Sequence, residues 1–425
     1  MKTAVFLAAT LFCCALMPAA PAPTLTSFHR QHLESHYWSE GANFGDLDRD
    51  GTPDAVYGPY WWKGPDFKER HEIYVPEETF TVAQADGVKK VLPGFEGGFG
   101  VKNAYSRDNF FSFIHDFNGD GWDDVLTFAF PGTPAYVYLN PQSKARHWER
   151  HTVLDEVGNE SPTFTDLTGN GKPEIVCVMN GNFGYASADW KNALTKWTFT
   201  PITRKGEWGR FTHGLGVGDI NGDGRLDVLF SGGWFEQPAS LAGDPVWKQH
   251  NAPFARAGAQ MFAYDVNGDG LTDVVTALAA HGFGLAWHEQ LPERNEHGSP
   301  RFKTHLIINE QPHENPYGVA FSELHALELV DIDGDGLKDI VTGKCFWSHG
   351  PDGSPDGDQP AVLYWFKLVR GSGGEVDWVP HLIDDNSGVG RQIGVADVTG
   401  DGHPDLIVGN KKGSFVFRNQ TRRVA

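Results

Sequence analysis

Cysteine is scarce, basic charge is outweighed, and no interior stretch is long and apolar; each shortage removes a class of protein. Four cysteines in 425 residues cannot staple a disulfide scaffold. With 35 Lys and Arg against 55 Asp and Glu, the formal net charge is −20. That is the reverse of the basic face a nucleic-acid binder needs, so no nucleic-acid partner is expected. Past the first residues no run is apolar for long enough to cross a bilayer, so no membrane anchor is expected. Charged residues are only 21% of the chain, whereas 14 Trp and 29 Phe are available for a core. Such a chain folds rather than staying disordered.

At the N-terminus, Lys2 precedes an apolar run from Ala4 to Met17, followed by small residues at Ala20 and Ala22. The run is too short for a membrane span and reads as a secretory signal peptide over residues 1–22. Residues 23–425 are then one exported domain, secreted or periplasmic. Cys13 and Cys14 fall in the leader; Cys177 and Cys345, in strand-like runs, are expected as buried free thiols. The 51 Gly and 26 Pro favour a many-turned β architecture.

The informative feature is a nine-residue pattern, D-x-[DN]-x-D-G-x-x-D. It recurs with first acids at 46, 116, 166, 219, 265, 331 and 397. Irregular spacing of one unit is the mark of an array or propeller with variable loops. Half-apolar alternation precedes each copy (Leu215, Val217; Leu327, Leu329), and a β-branched run follows (Val274, Val275, Thr276). Further along, an aromatic and a histidine separated by two residues recur as Trp148/His151, Trp247/His250, Phe302/His305 and Trp378/His381. These mark the outer strand of each unit, where the histidines pack. The last unit ends at Phe417 without such a strand, and Phe28 to Leu33 has the matching pattern. The predicted fold is all-β: a seven-bladed β-propeller of four-stranded blades, its ring closed by the N-terminal strand.

Carboxylates at positions one, three, five and nine of a tight turn present several oxygens to one point, which suits Ca²⁺. Position twelve holds Tyr57 or Phe230, not Glu, and strands flank the loops, so an EF-hand is excluded. The expected ligands are Asp46, Asp48, Asp50 and Asp54 in the first loop, and Asp116, Asn118, Asp120 and Asp124 in the second. Asp219, Asn221, Asp223 and Asp227 follow, then Asp265, Asn267, Asp269 and Asp273, and then Asp331, Asp333, Asp335 and Asp339. The last loop offers Asp397, Asp401 and Asp405 but has Thr399 at position three. The Asp166 loop is weakest, with Thr168 and Asn170. Five or six structural Ca²⁺ sites are expected.

These loops, with Phe44-Gly45 before one of them, resemble FG-GAP/VCBS repeats, known from integrin-α-type seven-bladed propellers. The runs from His213 to Gln237, His325 to Lys344 and Ser387 to Gly402 are similar to the propeller portions of the aldos-2-ulose dehydratase family and of related secreted bacterial proteins. That resemblance implies a lyase acting on keto sugars. The cupin-like domains of that family have no counterpart in these residues.

In such a propeller the first strand of each unit lines a central channel. The position six residues before each first Asp then falls at the channel mouth: Glu40, Phe110, Glu160, His213, Ala259, His325 and Arg391. Five are ionisable. Second-strand ends add Tyr60, Asn180, His281, Lys344 and Lys411, and Gln260 and Gln392 offer hydrogen bonds. Insertions at 72–110 and 306–324 bring Tyr105, Arg107, Asn109, His313 and Tyr317 as a roof. Catalytic roles fall to His213, His325, Glu160, Arg391, Lys344 and His281. Substrate contacts fall to Glu40, Tyr60, Tyr105, Asn109, Gln260, Gln392 and Lys411. Elimination β to a sugar carbonyl needs a base for the α proton and a cation at the developing oxyanion. The histidines suit the first, and Arg391, Lys344 or a bound metal the second. Two imidazoles with Glu160 could instead hold Zn²⁺ (or the site Mg²⁺) with an open position. The competing reading is a non-catalytic propeller binding glycans or proteins at the same mouth; a purely structural Ca²⁺ module is the third.

Overall fold

The computed structural model describes residues 24–76, 79–83, 89–93, 110–206, 208–346, 348 and 353–423. The leader, Tyr105, Arg107, Asn109 and Trp347 lie outside them. Among the described residues the structure is almost entirely β, with a short 3₁₀ turn at Pro312–Glu314. Among the described residues no helix is long and apolar enough to cross a membrane.

Each acidic loop joins the first two strands of an antiparallel meander. In the fourth copy, Leu215–Gly218 leads into the loop, and Asp227–Phe230, Gly233–Glu236 and Lys248–Asn251 follow. The loop's position-six glycine has a left-handed φ in all seven copies, from +81° at Gly171 to +91° at Gly336. No residue with a Cβ adopts that reversal cheaply.

Five four-stranded sheets stand separately, and one sheet has eight strands. The expectation of seven separate blades is therefore corrected. In the larger sheet two meanders are fused through their first strands, Leu215–Gly218 and Gln260–Tyr264. These run parallel with Leu215 beside Gln260 and Val217 beside Phe262. Glycine permits the approach. A Cβ on Gly216 would lie 1.9 Å from the Met261 carbonyl oxygen, and one on Gly218 would lie 2.2 Å from the Ala263 Cβ. Without side chains there, the strands approach closely enough to share a ladder.

The N-terminal strand Phe28–Glu34 pairs antiparallel with Gly413–Asn419 and is the outer strand of the last sheet. Apolar clusters lie between successive meanders. One example packs Phe117, Leu126 and Val137 against Ile175 and Trp197. Between the last meander and the first, Val398, Ile407 and Val416 pack against Trp38, Phe44, Tyr57 and Trp62. The recurrent outer-strand histidines pack as expected: His250 stacks on Trp234 at 4.0 Å, His305 on Trp287 at 4.3 Å and His381 on Trp365 at 4.4 Å. Cys177 and Cys345 are buried free thiols.

The position-nine acid has a use within the protein that spacing did not reveal. Asp227 is fully buried. One of its oxygens accepts from the Ile220 amide at 3.0 Å and the other from the Gln237 amide at 2.9 Å. Asp54, Asp124, Asp273, Asp339 and Asp405 make the same two-sided contact. This carboxylate clasps the loop to the end of the third strand.

A three-histidine centre beside the axial channel

First strands from five meanders line a narrow channel, with Phe113, Thr163, Val217, Phe262 and Glu328 on its wall beside Gln392, which precedes the first strand of a sixth. The residues just before those strands gather at one end. Glu160 precedes Thr163–Thr165, His213 precedes Leu215–Gly218, His325 precedes Leu327–Val330, and Arg391 precedes Ile393–Ala396. At the equivalent place in the fifth meander stands Ala259. The gap is filled by His281, from the turn between that meander's second and third strands.

Ligating atoms of Glu160, His213, His281 and His325 all lie within 4.8 Å of one another. His213 Nε2 is 2.9 Å from His281 Nε2. Glu160 Oε2 is 3.0 Å from His325 Nε2 and 3.6 Å from His213 Nε2. His213 Nδ1 lies 2.7 Å from the Phe211 carbonyl. Donation there fixes the tautomer and leaves Nε2 with a lone pair facing the cluster. Glu160 Oε2 and His325 Nε2 are buried and close, yet not aligned as a hydrogen bond.

Burial sets the protonation states. It is the largest influence on all three imidazoles, and Arg391 adds to it. The His325 pKa falls to about 3, and those of His213 and His281 also fall. Glu160 is held well below the usual carboxylate range: burial opposes ionisation, but Arg391, His325 and His213 together outweigh it. At neutral pH the centre is three neutral imidazoles around one carboxylate.

Arg391 does join the cluster. Its Nε is 3.2 Å from Glu160 Oε2, and its Nη1 donates to Cys345 Sγ and to Ser348 Oγ. Lys344 does not. It is fully buried and its ammonium pairs with Asp356, which also accepts from Ser322. Glu40 and Lys411 are spent on each other, 2.5 Å apart and buried. Gln260 and Gln392 serve the backbone. Gln260 bridges the Arg391 carbonyl and the Leu327 amide, and Gln392 clasps both backbone groups of Ser112. Tyr60 lies in the apolar packing beside Trp38 and Trp62. Tyr317 bonds Asp377 on an outer strand. His281 reaches a groove that also presents Arg256, Phe283, Asn309 and Glu310, so part of the 306–324 insertion lines the approach.

One residue escaped the sequence reading. Glu323 is fully buried with a left-handed φ of +61°. Its amide donates to the Gly282 carbonyl at 2.6 Å, and its carbonyl accepts from the His325 amide at 2.7 Å. It ties the turn bearing His281 to the segment bearing His325. A strained non-glycine backbone beside a chemical centre was the only signal, and sequence does not display it.

The FG-GAP-like repeat family matches residues 116–177 and 166–230, and the FG-GAP repeat family matches residues 389–421. The chain carries FG-GAP repeats. Four-stranded meanders strung on such repeats and packed side by side form a β-propeller arrangement, with a strand count of about four per blade. Among curated proteins the FG-GAP chain is similar to Protein linkin of Caenorhabditis elegans, 28% identical over 268 residues. That alignment covers 58% of this chain and 40% of linkin, so the chain spans less than half of that relative. A similar solved structure is described as the basis of specific recognition of non-reducing terminal N-acetylglucosamine by an Agrocybe aegerita lectin. It is 18% identical with a TM-score of 0.41, covering 72% of this chain and 75% of that one.

Proposed function

We propose that the three-histidine centre holds a divalent transition metal and that the protein is a metal-dependent carbohydrate lyase. The observation that carries the metal is the set of ligand separations, 2.9, 3.0 and 3.6 Å. Ligands about 2.0–2.1 Å from a tetrahedral zinc ion stand about 3.3 Å apart. Three neutral imidazoles suit Zn²⁺ and not the hard, oxygen-seeking Mg²⁺. His213, His281, His325 and Glu160 would hold the ion, which with its coordination expanded to admit a substrate oxygen would polarise a carbonyl or stabilise the charge developing on its oxygen. Arg391 offsets the charge of Glu160 and fixes its orientation. The groove at His281 admits the substrate, and Arg256 on its wall suits an anionic or hydroxyl-rich ligand.

The reaction class, elimination β to a sugar carbonyl, is drawn from the resemblance of the runs at His213, His325 and Ser387. We further propose a closed ring, supported by the pairing of Phe28–Glu34 with the last sheet and by the packing of Val398 on Phe44 and Trp62. Structural Ca²⁺ in the acidic loops is proposed from their oxygen count, and export from the pattern of residues 1–22.

The test has two arms. Metal analysis after calcium chelation should find one retained transition metal per chain, absent from His325→Ala. Keto sugars and oxidised glycosides incubated with metal-loaded protein should yield an ultraviolet-absorbing enone. Retained metal with glycan binding and no turnover would favour the non-catalytic binder. No retained metal would end the metal-centre reading.

A further inference from the structure

The seven acidic loops differ in one respect that their neighbours explain. Position three is Asp in two of them, Asp48 and Asp333. It is Asn118, Asn221 or Asn267 in three, and Thr168 or Thr399 in the others. Carried one residue past its last pair, the ladder register sets Lys63, just after the third strand, opposite the position-nine acid of the first meander, and Lys367 opposite that of the sixth. In the other five the residue so placed is Leu139, Ser187, Glu236, Glu289 and Arg418. A third carboxylate occurs only where a lysine stands opposite.

The geometry matches that pairing. The Lys63 ammonium contacts both Asp48 and Asp50, the latter at 2.6 Å. The Lys367 ammonium contacts both Asp333 and Asp335, the latter at 2.6 Å. Carboxylate oxygens of Asp46, Asp48 and Asp50 lie within 4.8 Å of one another, as do those of Asp331, Asp333 and Asp339. An ammonium therefore sits where gathered oxygens would otherwise face a metal. Arg418, the other cation in the series, turns away to Gln31 and the Pro65 carbonyl. Arg225 pairs with Asp223 alone and bridges no second carboxylate. In the three asparagine loops the amide donates to the position-five carboxylate, at 2.9 Å for Asn118 and Asp120.

We infer that the Asp46 and Asp331 loops carry a built-in cation and take no Ca²⁺. This narrows the calcium reading above to the remaining loops, for which it rests on that reading. Ca²⁺ demands six to eight oxygens at about 2.3–2.6 Å. A tethered ammonium between two of those carboxylates takes their charge and their lone pairs, and it repels a second cation. Lysine satisfies the extra aspartate without metal, whereas an uncharged position three leaves the loop to recruit its cation from solvent.

Bound calcium counted by native mass spectrometry, with Ca²⁺ as the only added metal, tests this. Asp48→Asn and Asp333→Asn should leave the wild-type count unchanged, whereas Lys63→Met and Lys367→Met should each gain one ion. Loss of one ion in either Asp→Asn variant overturns the inference, as does failure of both Lys→Met variants to gain one. A wild type with no calcium, but Lys→Met variants with one, would sink the calcium reading of the other loops while upholding the lysine assignment. Asp333 is buried, so a melting curve in chelator verifies that each variant is folded.

Discussion

His288 lies against Phe254, with its Nδ1 3.0 Å from the Thr304 hydroxyl, and burial pushes its pKa down to about 4. An imidazole in the unfolded chain titrates near 6.5. The stability due to the neutral folded form is complete above that pH and is lost as pH falls towards 4, because only the unfolded chain takes up the proton. The full loss is about 3 kcal/mol at one kcal-scale step per pH unit. Urea unfolding at pH 7 and pH 4 should show wild type losing up to that much more than His288→Gln. A parallel pair of curves would refute it. At this scale register was legible for part of the centre. Glu160, His213, His325 and Arg391 share one position before the first Asp and their side chains meet, whereas Glu40, at the same position, pairs with Lys411. Gln260, Gln392 and Lys344 were assigned to substrate or catalysis from side-chain type and a place near the channel mouth. Their polar atoms instead meet backbone groups and Asp356, partners that only the folded chain supplies.

In the meander, the position-nine clasp and the first-strand glycines carry the energetics. Asp227→Ala would leave the buried amides of Ile220 and Gln237 without their acceptor. An unsatisfied buried amide costs about 1–3 kcal/mol, so a loss of roughly 2–4 kcal/mol is expected by urea titration. A shift under 1 kcal/mol would show that water replaces the clasp. Gly216→Ala places a Cβ against the Met261 carbonyl. It should separate the two fused meanders and lower the melting temperature by several degrees, with faster amide exchange at Met261 and Phe262. Unchanged exchange there would contradict the ladder's dependence on glycine. The strand–loop–strand pattern was legible from alternation and the turn glycines. The division of labour among the carboxylates was not, since spacing counts oxygens without showing which face protein amides.

Across the whole molecule, the number of separate sheets was misread because fusion depends on a backbone approach at Gly216 and Gly218 that periodicity does not encode. The partnership of the termini was legible, since the last unit lacks an outer strand and Phe28 to Leu33 supplies its pattern. Deleting residues 24–34 would expose the edge of Gly413–Asn419. Unpaired edges invite intermolecular pairing. The truncated chain is expected to melt lower and to aggregate, and adding the excised peptide should partly rescue it. A monodisperse, equally stable truncation would remove the strand from the account of stability.

That seam also has a bearing on how the chain is made. Thr24–Leu25 and Phe28–Glu34 find their partners at Arg422–Arg423 and Gly413–Asn419, far later in the chain. The other sheets among the described residues can assemble from neighbouring segments as they emerge, but these pairings have to wait until the later segment is made. Until then the nascent polypeptide carries an unpaired ribbon. A truncated message or stalled translation leaves that ribbon unpaired, a ready handle for chaperones and quality-control proteases.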